Sequence, residues 1–283
     1  MIKSTLMVFN VLKLVSALIL TNLLVCSSAL AQGDLMILPK RLVFDGTQRA
    51  QEISLANTGS DSATYAISMV QYKMTENGSF EEITEAEEGL NFASDYLRYY
   101  PRRVVLGPNE AQTVRVQVTK TGSLLEGEYR SHIYFRAVEE QTALGSDAED
   151  DNTESISINI KAVFGISIPV IIRQGVSTTK IAISNVNLNL EEETNPVLEM
   201  IVNRNGNMSV YGNLSVKHIS SEGKKTDVGT VKGIAIYTPN KLRKFRLPIN
   251  PIEGVNFNSG RLEITFKSET DKNIYAESLH DLN

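Results

Sequence analysis

The sequence contains a single cysteine, Cys26, among its 283 residues. This cysteine lies in an N-terminal segment that we expect to be removed on export, so the mature chain has no thiol. Disulfides and a cysteine nucleophile are therefore excluded. An exported chain of this kind must hold its core together by the burial of apolar side chains alone.

Positive charge and histidine are also scarce. Lysine and arginine total 28 against 33 acidic residues, which gives a net charge of −5 and argues against a nucleic-acid partner. His132, His218 and His280 are scattered and lack the paired spacing of a zinc site. Glycine-rich phosphate loops and a G-x-S-x-G motif are absent from the sequence. We therefore predict that the protein is not an enzyme and that it needs no metal or cofactor.

Long apolar runs are confined to the N-terminus. The run at residues 14–25 follows Lys3 and Lys13 and leads to Ala29-Leu30-Ala31, the small-x-small pattern of a signal-peptidase site. The run is shorter than the roughly 20 residues of a transmembrane helix. We predict a signal peptide at residues 1–31, cleavage after Ala31, and a soluble exported chain without stable membrane insertion.

Short segments of alternating apolar and polar residues make up most of the remaining sequence. Residues 114–118 alternate at period two, and residues 65–70 end before a turn at Asn77 and Gly78. Pro39 interrupts the first such segment, so we expect that strand to lie at a sheet edge or to break there. Strands at this spacing predict an all-β protein built from β-sandwiches.

Two sequence features divide the chain. Residues 139–155 are rich in Asp and Glu and predict a long solvated loop. Pro169 and Gly175 bracket an expected linker at residues 170–176. The predicted domains are an N-terminal sandwich at residues 32–170 and a C-terminal sandwich at residues 171–283.

An unusually long alternation follows the acidic segment, because a strand is typically about five or six residues long. Its apolar face consists of Ile156, Ile158, Ile160, Ala162, Phe164, Ile166, Ile168 and Val170. We expect the domain's own core to bury the later part, Phe164 to Ile168, and the earlier part, Ile156 to Ile160, to project beyond that core. The alternative is one long core strand.

Three stretches in this order resemble the PapD-like periplasmic chaperones that assemble pili. They are residues 39–46 (PKRLVFDG), residues 106–116 (LGPNEAQTVRV) and residues 128–136 (EYRSHIYFR). The resemblance covers roughly residues 33–170. It implies an L-shaped pair of immunoglobulin-like domains in the periplasm, which folds and caps pilus or fimbrial subunits and hands them to an outer-membrane usher.

The same resemblance implies how the client is held. The last strand of the family's first domain is donated to a subunit that lacks its own last strand, which is a form of strand addition. The donated residues would be Ile156, Ile158, Ile160, Ala162, Phe164, Ile166 and Ile168. Arg41 matches the family's arginine that binds the client's C-terminal carboxylate, and Lys161 is the candidate for the accompanying lysine. Because Ile168 and Arg130 replace a family arginine and glutamate, the family's buried interdomain ion network is not expected here.

Two other functions fit parts of the pattern. A β-sandwich subunit or adhesin of a surface assembly would also be exported, but the expected mature start at residues 32–34 leads almost directly into a strand and favours a strand donor. An exported hydrolase would need a convergent pair of carboxylates, which the sequence does not offer.

Overall fold

A computed structural model describes residues 35–138, 164–190, 195–270 and 273–282. All of these described residues belong to one compact unit. The strands described are β1 (Leu35–Leu38), β2 (Leu42–Phe44), β3 (Ala50–Asn57), β4 (Ala63–Val70), β5 (Tyr72–Met74), β6 (Phe80–Glu82), β7 (Leu97–Tyr100), β8 (Arg103–Leu106), β9 (Ala111–Val118), β10 (Gly127–Val138), β11 (Gly165–Gln174), β12 (Lys180–Asn189), β13 (Val197–Asn205), β14 (Val210–Ile219), β15 (Lys225–Ile236), β16 (Leu242–Pro248), β17 (Gly260–Ser268) and β18 (Ile274–Leu282).

Helical structure is minimal in the ranges described. It consists of two 3-10 turns, Ser94–Tyr96 and Thr121–Ser123. In that part of the chain no helix has the length and apolar character needed to cross a membrane. The prediction of an all-β protein is confirmed.

The first sandwich has the strand order of an immunoglobulin-like domain. One sheet runs β1-β3-β9-β7 and the other runs β2-β11-β10-β4-β8, which correspond to the A-B-E-D and G-F-C arrangements of that fold. Alternate residues of each strand point inward and close a common core, which includes Leu42, Ile53, Leu55, Val114, Val116, Ile133 and Phe135. The period-two pattern of residues 114–118 therefore identified the buried face of β9.

Pro39 breaks the first strand, as expected. Strand β1 ends at Leu38 and β2 begins at Leu42, and each lies at the edge of a different sheet. The intervening residues carry the chain from one sheet to the other and place Arg41 directly before β2.

The second sandwich repeats this order with fewer strands. Its sheets are β12-β13-β16 and β15-β14-β17-β18. Its core includes Leu198, Val202, Leu214, Val216, Ile236, Leu262, Ile264 and Phe266. The described fold is thus a pair of β-sandwiches, as the sequence predicted.

The first sandwich extends further along the chain than the expected boundary at residue 170. Strand β11 continues to Gln174, with Val170, Ile171 and Ile172 buried, and the connection to β12 occupies residues 175–179. Pro169 does not end the strand because its backbone nitrogen faces away from β10. This direction follows from the bond that the Ala137 N–H donates to the Phe164 carbonyl at 3.0 Å, since bonding alternates along the ladder.

A short hairpin, β5-β6, reaches from the first sandwich to the second. Its turn contains Gly78 at φ +86°, a conformation that suits glycine, and confirms the turn predicted at Asn77 and Gly78. The Lys244 N–H donates to the Glu76 carbonyl at 2.7 Å, and the Lys244 Nζ lies 2.8 Å from the Glu76 carboxylate. The hairpin thereby fixes the start of β16 against the first sandwich.

Candidate functional site

A cleft of about 500 Å³ opens between the two sandwiches. Three cationic side chains line it: Lys40 and Arg41 from the first sandwich and Arg243 from the second. The hydroxyl-bearing side chains of Tyr72, Tyr211 and Tyr237 also line it, whereas the described lining contains no Asp or Glu. A cleft with this composition favours an anionic ligand.

Arg41 has unused donors in this cleft. Its guanidinium carbon lies 4.0 Å from the ring centroid of Tyr211, a cation–π contact that holds the side chain in place. The buried Nε and Nη1 atoms have no hydrogen-bond partner among the described residues. A buried donor left without a partner costs about 1–3 kcal/mol, and a bound carboxylate would recover this cost.

Arg243 is held by backbone and ring contacts. Its Nη1 donates to the Ala235 carbonyl at 2.6 Å, and its guanidinium carbon lies 4.7 Å from the centroid of Phe245. Its buried Nε has no partner in the described ranges. Burial lowers the pKa of Arg243, but an arginine starts so far above neutrality that it stays charged.

Arg130 packs on Tyr237, which lines the cleft. Arg130 is 2% exposed; its guanidinium carbon lies 4.3 Å from the Tyr237 ring centroid, and its Nη2 donates to the Thr238 carbonyl at 3.3 Å. Burial raises the pKa of Tyr237, which therefore stays neutral beside these arginines. Arg130 thus ties β10 of the first sandwich to the end of β15 in the second.

A buried ion pair of the first sandwich lies at the same junction and bonds to the neutral Ser209 of the second sandwich. The Glu128 Oε2 accepts bonds from the Arg173 Nε at 3.1 Å, the Ser209 N–H at 3.0 Å and the Ser209 Oγ at 2.7 Å. The Arg173 Nη2 also donates to the Ser209 carbonyl at 2.8 Å. Arg173 belongs to the first sandwich because β11 continues past Pro169, so this pair does not join the two sandwiches, and the expectation that the family's interdomain ion network is lacking stays a prediction. The unbroken apolar run from Val170 to Ile172 was the available signal that the strand continued.

The predicted site residues fall into two groups. The structure describes four of them: Arg41, which lines the cleft, and Phe164, Ile166 and Ile168. The remaining predicted residues lie outside the described ranges, namely Ile156, Ile158, Ile160, Lys161 and Ala162, as do the signal segment 1–31 and the acidic segment 139–155.

The exposed part of the apolar row extends further along the chain than expected. Ile168 is 4% exposed, but Ile166 is 37% exposed and Phe164 is 52% exposed, so the expectation that the domain's core buries all three was wrong. The reason is the position of β2, which pairs with β11 only from Val170 onward. Before that point, β11 has a partner strand on the β10 side alone within the described chain.

This stretch of β11 offers a free backbone edge. Phe164, Ile166 and Ile168 direct their backbone groups toward β10, as the Phe164–Ala137 bond shows. The backbone groups of Gly165 and Ser167 therefore point outward, where no described strand pairs with them. An exposed edge with apolar side chains is a template for adding a strand.

His132 makes folding stability sensitive to pH. Its ring is 3% exposed and packs 5.1 Å from the Tyr72 ring and 5.6 Å from the Phe80 ring. Burial, and then the charge of Arg130, lower the pKa of His132 from 6.5 to about 3. The unfolded chain therefore binds the proton more tightly than the folded one, and stability falls as the pH drops below 6.5.

We expect this histidine to remove about 2 kcal/mol of unfolding free energy between pH 7.5 and pH 5. Urea unfolding at both pH values checks it, with His132→Phe as the comparison because a phenyl ring fits between the same aromatic rings. The variant should lose about 2 kcal/mol less than the wild type over this interval. Equal losses in the two proteins would show that His132 does not carry the effect.

No protein-family model matches the chain, and no curated protein sequence matches it. Among solved structures it is similar to the YadV chaperone, with 13% identity and a TM-score of 0.44 over 88% of this chain and 100% of that one. The CupB2 chaperone of Pseudomonas aeruginosa has 12% identity and a TM-score of 0.42 over 88% and 100% of the two chains. The E. coli chaperone DraB has 13% identity and a TM-score of 0.42 over 88% and 96%. Identities this low leave the function to be inferred from the chain's own residues.

Proposed function

We propose that the protein is a periplasmic chaperone for pilus or fimbrial subunits, which it holds by strand addition. The observation that carries the proposal is a free apolar edge that leads into a cationic cleft. Ser167 and Pro169 belong to this edge and also line the cleft beside Arg41. A client strand paired along β11 would therefore bring its end to the arginine.

The exposed side chains supply the apolar part of the contact. Phe164 and Ile166 lie on one face of β11, and the row continues in the sequence through Ala162, Ile160, Ile158 and Ile156. Fully burying one such side chain contributes roughly 1.5–3 kcal/mol. An unfinished sandwich exposes both an apolar groove and an unpaired edge, and a donated strand covers the two together. Ordering the partners reduces the net affinity.

Arg41 binds the client's C-terminal carboxylate in this proposal. The support is its place in the cleft, its unpartnered Nε and Nη1, and the absence of acidic side chains from the described lining. The signal segment at residues 1–31 would direct the chain to the periplasm, where it would pass its client to an outer-membrane usher. Lys161 remains a candidate for the accompanying cation.

Arg41→Ala tests the proposal in the native organism. A fimbrial subunit should copurify with tagged wild-type protein from the periplasm and should be lost from the variant, since removing one partner of a desolvated ion pair costs about 2–5 kcal/mol. Mass spectrometry identifies the copurifying protein, and thermal unfolding confirms that the variant folds.

Arg49→Ala is the matched control, because Arg49 is an exposed arginine of the same sandwich that does not line the cleft. It should retain the subunit. A folded Arg41→Ala protein that keeps a normal amount of subunit would contradict the anchor.

A further inference from the structure

We propose that Arg243, which comes from the second sandwich, is a second cation of the carboxylate anchor. The inference rests on the proposed function and specifies how the anchor is built. Arg41 and Arg243 line the same cleft from opposite sandwiches, and both have a buried Nε without a described hydrogen-bond partner. A carboxylate bound between them would contact both halves of the protein.

The local fold fixes Arg243 in the cleft from several sides. It is the second residue of β16, and the bond from the Lys244 N–H to the Glu76 carbonyl ties this strand to the β5-β6 hairpin. Gly78, in the hairpin turn, lies directly against the guanidinium, because a Cβ added at Gly78 would overlap Arg243. Phe245 covers the group 4.7 Å from its ring centroid. An arginine held in this way loses little side-chain freedom when it binds a ligand.

The guanidinium keeps donor capacity for a ligand. Its Nη1 is engaged by the Ala235 carbonyl, which is a neutral acceptor, and no described ion pair involves Arg243. A carboxylate has two oxygens that accept several hydrogen bonds, so it can be shared by two arginines. Two half-buried positive charges that line one cleft repel each other, and a bound carboxylate reduces this repulsion.

Tyr237 lines the same cleft as both arginines, and its phenol stays neutral because burial raises its pKa. By contrast, Arg246, three residues further along β16, is exposed and lies 3.3 Å from Glu199.

A peptide comparison tests the inference on the purified mature chain. Two fluorescent peptides of alternating valine and threonine are used, one ending in a free carboxylate and the other in a carboxamide. The measured quantity is the ratio of their dissociation constants. A purely structural role of Arg243 would weaken both peptides equally and leave the ratio unchanged.

We expect the wild type to prefer the free acid, and Arg243→Gln to lose that preference by roughly 10- to 30-fold. Arg243→Lys should recover part of this preference, because lysine keeps the positive charge but lacks the planar guanidinium that can donate two parallel hydrogen bonds. Arg246→Gln should match the wild type. If Arg41→Gln removes the preference and Arg243→Gln retains it, the inference is wrong and the proposed function stands. If the wild type does not distinguish acid from amide, the carboxylate anchor of the proposed function itself is wrong.

Discussion

Phe164→Asp should abolish capture of the copurifying subunit while changing the free energy of unfolding of the free protein by less than about 1 kcal/mol. Phe164 is 52% exposed at the free end of β11, so a charge there remains solvated in the free protein. In the proposed client complex the same position would face an apolar groove, where an unpaired carboxylate is strongly unfavourable. Urea unfolding of the variant and copurification of the subunit measure the two effects separately.

Ile168→Asp is the matched control, because it introduces the same charge two alternations further along the same face. Ile168 is 4% exposed in the core of the first sandwich, so this variant should lose more than about 3 kcal/mol or fail to fold. The two substitutions should therefore have opposite effects on the stability of the free protein. If Phe164→Asp also unfolds the protein, this part of β11 is an ordinary core strand.

Glu128→Ala should destabilise the protein by about 3 kcal/mol or more. Glu128 is 2% exposed and accepts three hydrogen bonds, one from Arg173 of its own sandwich and two from Ser209 of the second sandwich, so its loss leaves the charge of Arg173 and two donors of Ser209 without this partner. Breaking a buried pair costs about 3–5 kcal/mol. The Arg173 side chain is 28% exposed and regains some hydration, which favours the lower end of this range.

Asp281→Ala provides the comparison for a surface pair. Asp281 lies 3.7 Å from Arg261, and its side chain is 80% exposed, so its removal should cost less than about 1 kcal/mol. Urea unfolding measures both variants at one pH. A loss in Glu128→Ala no larger than that in Asp281→Ala would mean that the ion pair does not stabilise the junction.

Local patterns in the sequence predicted the strands and several turns because these depend on neighbouring residues. The alternation of residues 114–118 identified β9, Pro39 identified the break after the first strand, and Asn77 and Gly78 identified the hairpin turn. Each signal acts within a few residues, through side-chain direction or allowed backbone angles.

Contacts between the sandwiches could not be predicted in this way. Glu128 and Ser209 are 81 residues apart, and Arg130 and Thr238 are 108 residues apart, so no local pattern relates them. Alternation also predicts which face of β11 is apolar, but it does not predict at which residue the pairing of β11 with β2 begins. For this reason the sequence predicted that Phe164 and Ile166 are buried, whereas the start of β2 pairing at Val170 leaves them exposed.

Hydrogen exchange of individual amides in β11 tests strand donation most directly. In the free protein the Gly165 and Ser167 amides point to the unpaired edge and should exchange rapidly, whereas the Ile166 and Ile168 amides bond to β10 and should be protected. In the complex with the copurifying subunit, all four amides should be protected, because a client strand pairs with the free edge. Unchanged rapid exchange at Gly165 and Ser167 in that complex would contradict strand addition at this edge.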